Sequence, residues 1–232
     1  MKVTVEQAAL LKALGHVYRV VERRNTIPIL SNVLLRAEGG TLALKATDLD
    51  IEVSETISAE VAQGGATTVP AHMLHDIIRK LPDGAQVSLE QGGDSAQVSI
   101  RSGRSRFSLQ ALPDTDFPDL AAGTMSHRFE LSATELRRLV EKTQFAISTE
   151  ETRYYLNGIY LHAVESAGGA MLRAVATDGH RLALAETAGI ADGEVRRQVI
   201  VPRKGVLELQ RLPEGGDAPL ELAFSKNHVR AR

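Results

Sequence analysis

The stretch KVTVEQAALLKAL at residues 2–14 recurs later in the chain as RFELSATELRRLV at residues 128–140. The two copies lie 126 residues apart, and each reads as a short strand followed by helix-favouring residues. At the same offset, LSNVLLRA (30–37) matches LNGIYLHA (156–163). Self-similarity at a fixed offset is the sequence signature of a repeated structural unit. The sequence therefore predicts a fold that contains one unit twice.

Two further blocks extend the repeat in the same order. LALKATDLDIEVSE (42–55) parallels LRAVATDGHRLALAE (172–186), and TTVPAHMLHDIIRKLPDG (67–84) parallels VIVPRKGVLELQRLPEG (199–215). The offset grows to 130 in the first of these pairs, which an insertion around Ser166–Gly169 explains. Four matching blocks in one order predict two homologous domains.

Each copy has the same predicted order of elements. A short strand precedes a helix of about four turns, at 6–20 in the first copy and at 132–146 in the second. Ser132 and Glu135 have the spacing of a capping box at the start of the second of these helices. Alternating strands separated by Gly-rich turns follow, then a shorter helix after a Val-Pro pair. The predicted fold class is α+β, with antiparallel sheets on one side of each unit and helices on the other.

The domain boundaries follow from the repeat. We predict domain one at 1–120 and domain two at 121–232, joined by the Pro-, Asp- and Gly-rich segment LPDTDFPDLAAGT (112–124). The second copy stops roughly where the first copy has reached Arg101. We therefore expect domain two to be C-terminally incomplete, lacking its last strand or two.

Composition narrows the possible functions. Hydrophobic residues make up 43% and charged residues 24% of the 232 residues, as in ordinary globular proteins. The absence of cysteine excludes disulfides and thiolate chemistry, and it fits a reducing, cytoplasmic location. The N-terminus lacks the pattern of a signal peptide, and no apolar run has the length that a bilayer-spanning helix needs.

Positive charge is concentrated on the four predicted helices. They and their flanks hold twelve basic and six acidic residues, a balance of +6, although the chain as a whole carries −2. A basic face attracts phosphates without reading bases. Basic residues also solvate helix surfaces in proteins of other kinds, so this pattern alone does not decide the function. The basic residues are Lys12, Arg19, Arg23, Arg24, Arg79, Lys80, Arg137, Arg138, Lys142, Arg203, Lys204 and Arg211.

Four motifs point to one family. RYYLNG (153–158), ATDGHRLA (176–183), VPRKG (201–205) and RSGRSRFSL (101–109) stand in the chain in an order that strongly resembles the bacterial sliding clamp, the β subunit of DNA polymerase III. The likeness runs along the whole chain. Several identities of this length in the right order are far more specific than a lone glycine pattern.

The resemblance implies a function and a set of partners. Clamps of this family carry three copies of one domain, and two chains close head-to-tail into a ring around duplex DNA. Their helices face the DNA, their antiparallel sheets face outwards, and the ring tethers the replicative polymerase as a non-catalytic processivity factor. No cofactor is implied, and a separate ATP-using clamp loader opens the ring. The third domain is absent from this chain, so we expect it not to close the native ring alone.

The resemblance also implies a pocket for a partner's linear peptide. Two leucines would form its apolar floor, a glycine would let a peptide backbone approach, and a histidine and an arginine would supply donors at the rim, as in mostly apolar sites with few polar groups. The matching residues are Leu156, Thr177, Gly179, His180, Arg181 and Leu182.

DNA contacts and a ring interface are implied in the same way. Glu150 departs from the family pattern, because clamps often carry a neutral polar residue there, and with Glu151 it would repel phosphate. The expected DNA-binding residues are Arg24, Tyr154, Tyr155, Arg203 and Lys204. The two tyrosines are expected on a strand, where one side chain points inwards and the other outwards, so at least one is free to contact a partner. The expected interface is an edge strand that carries Arg104, Arg106, Phe107 and Leu109, with the two arginines on one face and the two apolar residues on the other.

Other interpretations of single motifs remain. The chain could be a peptide-binding adaptor that uses the same pocket without DNA, or a hydrolase with Asp178 and His180 as a catalytic pair. Asp48 stands at the equivalent place in the first copy, which favours a turn in which the aspartate accepts backbone hydrogen bonds. His72 and His75 have a spacing that could bind a metal, but no third ligand is evident, so a surface or capping role is expected.

Overall fold

The chain divides into two compact units in a computed structural model. Module one is Met1–Leu120 and module two is Ala121–Arg232. Both modules combine helices with antiparallel sheets, which confirms the predicted α+β repeat. The structure describes residues 1–23, 25–93, 95–120, 125, 127–166, 169–188, 198–212, 219–225 and 228–232.

The described residues of module one form two sheets and two α-helices. Its helices are α1 (Gln7–Val17) and α2 (Ala71–Arg79). One sheet has the order β5-β1-β7-β8-β9 and the other the order β4-β3-β2-β6. The strands are β1 (Lys2–Glu6), β2 (Asn32–Glu38), β3 (Thr41–Thr47), β4 (Glu52–Ser58), β5 (Glu60–Gln63), β6 (Gly65–Pro70), β7 (Gln86–Glu90), β8 (Gln97–Ser102) and β9 (Ser105–Gln110).

Module two repeats this arrangement. Its helices are α3 (Ala133–Thr143) and α4 (Arg203–Arg211). Its described sheets have the orders β13-β12-β11-β14 and β10-β15-β16. The counterpart of β5 would fall within 189–197, which lies outside the described residues. The strands are β10 (His127–Ser132), β11 (Gly158–Ser166), β12 (Gly169–Thr177), β13 (Leu182–Ala188), β14 (Gln198–Pro202), β15 (Pro219–Phe224) and β16 (Val229–Ala231).

The start of α3 follows the predicted capping box. The Ser132 hydroxyl accepts the backbone N–H of Glu135 at 3.1 Å, and the Glu135 carboxylate accepts the N–H of Ser132 at 3.3 Å. The same carboxylate also accepts the Thr187 hydroxyl, and this bond is the main reason why the pKa of Glu135 lies below its usual value. The cap therefore fixes the helix start and ties α3 to β13.

The first helix of each module is shorter than predicted. The sequence indicated about four turns, but α1 ends at Val17 and α3 ends at Thr143, so each contains eleven residues. A short 3-10 turn, Gln144–Ala146, follows α3. Buried residues follow each helix instead, Val20 and Val21 after α1 and Ala146 and Ile147 after α3.

Each module buries its own aliphatic core. In module one, α1 contributes Leu10 and Leu14 and the sheets contribute Leu35, Leu44 and Leu89, all at 0% exposure. Burying a leucine of this kind stabilises a fold by about 1.5–3 kcal/mol. The core of module two is built in the same way from residues including Leu136, Leu139, Ile159, Leu172 and Leu222.

The predicted linker is partly a packed element. Phe117 is only 8% exposed and joins Ile29, Leu30 and Leu34 in a small cluster on module one. The Thr68 hydroxyl donates to the Leu112 carbonyl at 2.9 Å, which anchors the start of the segment. The first half of the predicted linker over 112–124 therefore packs on module one, where its apolar residues cover the sheet. Residues 121–124 lie outside the described part of the chain.

Candidate functional site

The turn between β12 and β13 carries most of the predicted peptide-pocket residues. The Asp178 carboxylate accepts the backbone N–H groups of His180 and Arg181, each at 3.0 Å. The Thr177 hydroxyl donates to the Arg181 carbonyl at 2.7 Å and accepts the Gly179 N–H at 3.1 Å. Gly179 has a φ of 91°, which glycine adopts at no steric cost. These bonds fix the backbone and leave the His180 and Leu182 side chains exposed.

The same turn occurs in module one. There the Asp48 carboxylate accepts the N–H groups of Asp50 and Ile51, at 3.0 and 2.8 Å, and Thr47 accepts that of Leu49. Leu49 has a φ of 81° at the place of Gly179. The prediction that this aspartate serves a turn is therefore confirmed in both modules. Because the Asp178 carboxylate is also paired with its own turn's Arg181, at 2.9 Å, it is poorly placed to activate His180 as a catalytic base.

The bonding of Asp178 has a consequence that can be measured. The Arg181 and His180 backbone N–H groups, and the Arg181 guanidinium, lower the pKa of this carboxyl to about 2. An unfolded aspartate titrates near pH 3.9. A depressed pKa stabilises the turn above the unfolded pKa, and this stabilisation is lost as the pH falls through about 2. We expect an NMR titration of the Asp178 carboxyl carbon to have its midpoint near 2; a midpoint near 4 would contradict this bonding.

The apolar residues of the predicted pocket are partly or largely exposed. Leu182 is 65% exposed, Leu156 is half-buried, and Phe145 is 56% exposed. The Arg181 guanidinium lies over the Phe145 ring, 5.7 Å from its centroid. A Cβ atom at Gly179 would come within 3.2 Å of the Arg153 guanidinium, so the glycine permits this close approach. The turn thus presents apolar side chains beside arginine donors.

The two tyrosines of RYYLNG lie in a 3-10 segment, Glu151–Leu156, and not on the strand that the sequence suggested. Both rings are exposed, Tyr154 at 78% and Tyr155 at 55%, and they meet edge to face at 5.7 Å. A strand would have pointed one of them inwards. Because the segment turns, both aromatic rings remain accessible to a partner.

Glu150 has a basic partner. Its carboxylate lies 3.1 Å from Arg153 Nε, three residues later, and both side chains are about half exposed. A pair of this exposure contributes roughly 0–1 kcal/mol of stability, but it still offsets the local negative charge. The predicted repulsion of phosphate at this edge is therefore weaker than the glutamate alone implies.

The start of α4 presents the basic pair of VPRKG. Arg203 is the first residue of the helix, its backbone N–H donates to the Asn157 carbonyl at 2.9 Å, and its side chain is exposed. Lys204 follows and is half-buried. Arg24, the remaining predicted DNA contact, lies outside the described residues. Its neighbours Arg19 and Arg23 are exposed beyond the end of α1.

The four helices carry a net positive charge, as predicted, but this net charge is smaller than predicted. Because α1 ends at Val17 and α2 at Arg79, several of the counted residues lie beyond the helices. The four helices as described hold eight basic and four acidic residues, a balance of +4. Arg79 is also paired with Asp76 at 3.2 Å. The helical surfaces remain cationic within a chain of net charge −2.

The predicted interface strand lies at the edge of its sheet. β9 ends the order β5-β1-β7-β8-β9, and it exposes Arg106 and Phe107, the latter at 40%. Arg104 lies in the hairpin turn before the strand. Leu109 is 2% exposed and packs in the core of module one, so its side chain is not available to a partner. An incoming strand would meet Arg106, Phe107 and the free backbone edge.

Two features were missed by the sequence analysis. The exposed ring of Phe145 follows α3 in a position that carries no recognisable motif. His72 and His75 neither cap a helix nor lie free on the surface: His72 Nε2 lies 2.9 Å from the Val21 carbonyl, and the His75 ring stacks on Tyr18 at 4.0 Å. Burial lowers the pKa of His75. Within the described ranges, no group of three or more potential metal ligands was found, and no helix is long and apolar enough to cross a membrane.

Comparison with known protein families places both modules. Residues 1–121 match the family described as DNA polymerase III beta subunit, N-terminal domain, and residues 130–232 match the central domain of the same subunit. The beta sliding clamp of Caulobacter vibrioides is 55% identical over 230 residues, which cover 99% of this chain and 62% of the relative. The beta sliding clamp of Escherichia coli K12 is 44% identical over 232 residues, again 62% of its length.

Solved structures agree with these matches. The pol III beta structure from Caulobacter crescentus has a TM-score of 0.94 at 55% identity and covers all of this chain and 63% of its own. A sliding clamp from Bartonella birtlesii bound to griselimycin has a TM-score of 0.94 at 50% identity and covers all of this chain and 62% of its own. The chain therefore spans a little under two thirds of the length of the relatives that it matches.

Proposed function

Because the chain belongs to the DNA polymerase III β-subunit family, the bacterial sliding clamps, we propose that it supplies the N-terminal and central domains of a ring around duplex DNA. In this role it is a non-catalytic processivity factor of the replicative polymerase. The observation that carries the proposal is the duplicated α+β module with cationic helices in a chain of net negative charge. We place such a ring in the cytoplasm, and the ring itself needs no cofactor.

The proposed mechanism of DNA binding depends on the positive charge of the protein and not on recognition of bases. Exposed arginines such as Arg203 attract phosphates through counterion release, and this attraction does not depend on sequence. Weak contacts suit a ring, because encirclement prevents dissociation while the protein slides. A polymerase tethered to the ring re-engages its template at high effective concentration.

The turn Thr177–Leu182, with Leu156, is the proposed docking site for linear peptides of the polymerase, the clamp loader and other partners. Its apolar side chains would hold the peptide, while His180 and Arg181 would supply donors at the rim. A ring built from two such chains head-to-tail would use the β9 edge with Arg106 and Phe107. We propose that both sites are shared with the further domain that the longer relatives carry, so residues 1–232 by themselves bind peptides weakly and do not close a ring.

The DNA contact is tested by reversing charge at the start of α4. We expect the double change Arg203→Glu and Lys204→Glu to weaken duplex binding. The plot of log K against log salt should become less steep, its slope falling in magnitude by about 2, roughly one per lost phosphate contact. Fluorescence anisotropy with duplexes of unrelated sequence measures both quantities.

The matched control reverses two arginines of module one that are assigned to the ring interface. Arg104→Glu with Arg106→Glu changes the net charge by the same amount, and we expect the salt slope to stay unchanged. An equal loss of duplex affinity in both variants would show that the effect depends only on the net charge of the protein. No loss in either would favour a peptide-binding adaptor that does not use DNA.

A further inference from the structure

The residues that follow α1 form a short basic segment, residues 18–23, with the sequence YRVVER. Arg19 and Arg23 are exposed, whereas Val20 and Val21 between them are buried. With Glu22, the segment carries a net charge of +1. The buried valines fix the middle of the segment to module one and leave an exposed arginine on either side of them.

The backbone of this segment is bound by a side chain from the second helix of the module. His72 Nε2 lies 2.9 Å from the Val21 carbonyl oxygen, and the two residues are 51 positions apart. A carbonyl oxygen only accepts hydrogen bonds, so the imidazole nitrogen is the donor. His72 lies in the first turn of α2. The bond therefore ties the basic segment to α2 and satisfies the carbonyl of a buried residue.

Two more rings support the contact between the segment and α2. Tyr18, the first residue of the segment, stacks on His75 at 4.0 Å with 9° between the planes, and it meets His72 edge-on at 5.5 Å. The His75 side chain is only 14% exposed. The rings hold the start of the segment against α2, and the His72 hydrogen bond holds its centre.

The two modules place their basic residues in different ways. Arg203 and Lys204 of module two lie in α4, whose backbone positions them. Arg19 and Arg23 of module one lie beyond the end of α1. A segment that becomes ordered only when it binds loses conformational entropy at that moment, and ordering it beforehand removes this cost. The basic segment of module one therefore gains more than α4 does from an anchor supplied by another element.

We propose that His72 is a positioning residue for duplex DNA binding, which acts by holding the Val21 carbonyl so that Arg19 and Arg23 are already in place to meet phosphates. The inference rests on the proposed DNA-binding function and deepens it, because it names a residue that affects DNA only through other residues. The contact remains one of charge with the phosphate backbone and reads no bases.

The first test separates the donor of His72 from its ring. His72→Phe keeps a ring and removes the donor, whereas His72→Gln keeps an N–H donor at the same number of bonds from Cβ. We expect the duplex affinity of His72→Phe to fall about 2- to 12-fold, the factor that corresponds to one hydrogen bond. Its salt slope should fall in magnitude by up to about 2, one per arginine contact. His72→Gln should bind like the unchanged chain.

Fluorescence anisotropy with a labelled duplex measures both quantities. His75→Phe is the matched control, since it makes the same change three residues later in α2, in a ring that stacks on Tyr18. We expect it to leave the affinity and the salt slope unchanged. Wild-type duplex binding by His72→Phe would overturn the inference, and so would equal losses in His72→Phe and His72→Gln.

A double-mutant cycle shows whether His72 acts through the two arginines. Arg19→Gln with Arg23→Gln removes their charges, and in that background we expect His72→Phe to cause no further loss of duplex affinity. A loss of equal size with and without the arginines would overturn the inference, because it would show a general effect on module one. Should His72→Phe fail to fold, His72→Leu, which is smaller and also lacks a donor, replaces it in both tests.

The outcome is distinct from that of the proposed function. The charge reversal at Arg203 and Lys204 does not involve His72. Weaker duplex binding in that reversal, together with wild-type binding by His72→Phe, would leave the proposed function standing and overturn this inference alone.

Discussion

Replacing Gly158 with alanine should strongly destabilise module two. A Cβ atom at this position would lie 2.2 Å from the Val201 carbonyl oxygen and 2.9 Å from the Ile200 side chain. Gly158 begins β11 and pairs with Pro202, so the obstacle is the backbone of the neighbouring strand β14. Because a backbone atom cannot rotate away, β11 and β14 must separate. Overpacking of this kind costs about 3 kcal/mol or more.

Thermal unfolding followed by circular dichroism measures this loss. For a module of about 100 residues, we expect the transition of module two to fall by roughly 12–24 °C. Gly15→Ala is the matched control, because Gly15 lies within α1 and, apart from its adjacent residues and the backbone of its own helix, no atom lies within 4 Å of the added Cβ. Alanine there should raise helix stability by about 0.5–1 kcal/mol. Equal melting of Gly158→Ala and the unchanged chain would contradict the described strand pairing.

Amide hydrogen exchange locates the effect. The N–H groups of β11 and β14 should exchange faster in Gly158→Ala, whereas those of β2 and β3 in module one should keep their protection. This result is expected because each module buries a separate aliphatic core.

The repeat, the fold class and several local details could be predicted from the sequence. The Ser132–Glu135 capping box and the Asp178 turn depend on interactions between residues no more than four positions apart. Such interactions can be recognised from the spacing of residue types in the sequence. The edge position of β9 followed from its place at the end of the first copy. These features need no knowledge of what packs above them.

Features set by packing between distant residues could not be predicted. Phe117 lies in a segment whose composition is typical of a linker, yet it packs on Leu34, more than eighty positions earlier. Leu109 alternates correctly along β9, but its burial depends on the core beneath the strand. Tyr154 and Tyr155 were predicted on a strand, because nothing in RYYLNG marks the 3-10 turn.

The residues of the candidate site could be named from the sequence, but the distant residues that contact them could not. The turn between β12 and β13 exposes the side chains of His180 and Leu182, whereas the resemblance implied Leu182 as part of an apolar floor. The contact between the Arg181 guanidinium and the Phe145 ring could not be predicted, because it joins residues that lie far apart in the sequence.

The second prediction with a large expected effect concerns the encirclement of DNA. We expect the chain, joined to the C-terminal domain of its Caulobacter vibrioides relative, to remain on closed circular DNA far longer than its phosphate contacts alone allow. Those contacts are weak and salt-dependent, so a protein held only by them should dissociate quickly at physiological salt. A ring can leave a circle only by opening, and we expect its residence time to be on the order of 100-fold longer or more, as for other linked systems.

The central claim is tested by loading that extended protein onto nicked circular DNA with a bacterial clamp loader and ATP, removing free protein, and then cutting the circle once with a restriction enzyme. We predict that the bound protein stays on the circle through gel filtration in moderate salt and is lost within the time of the cut, because it slides off the new ends. Retention that is equal on circular and linear DNA would contradict the account, since it would mean that the chain holds DNA by contact and not by surrounding it.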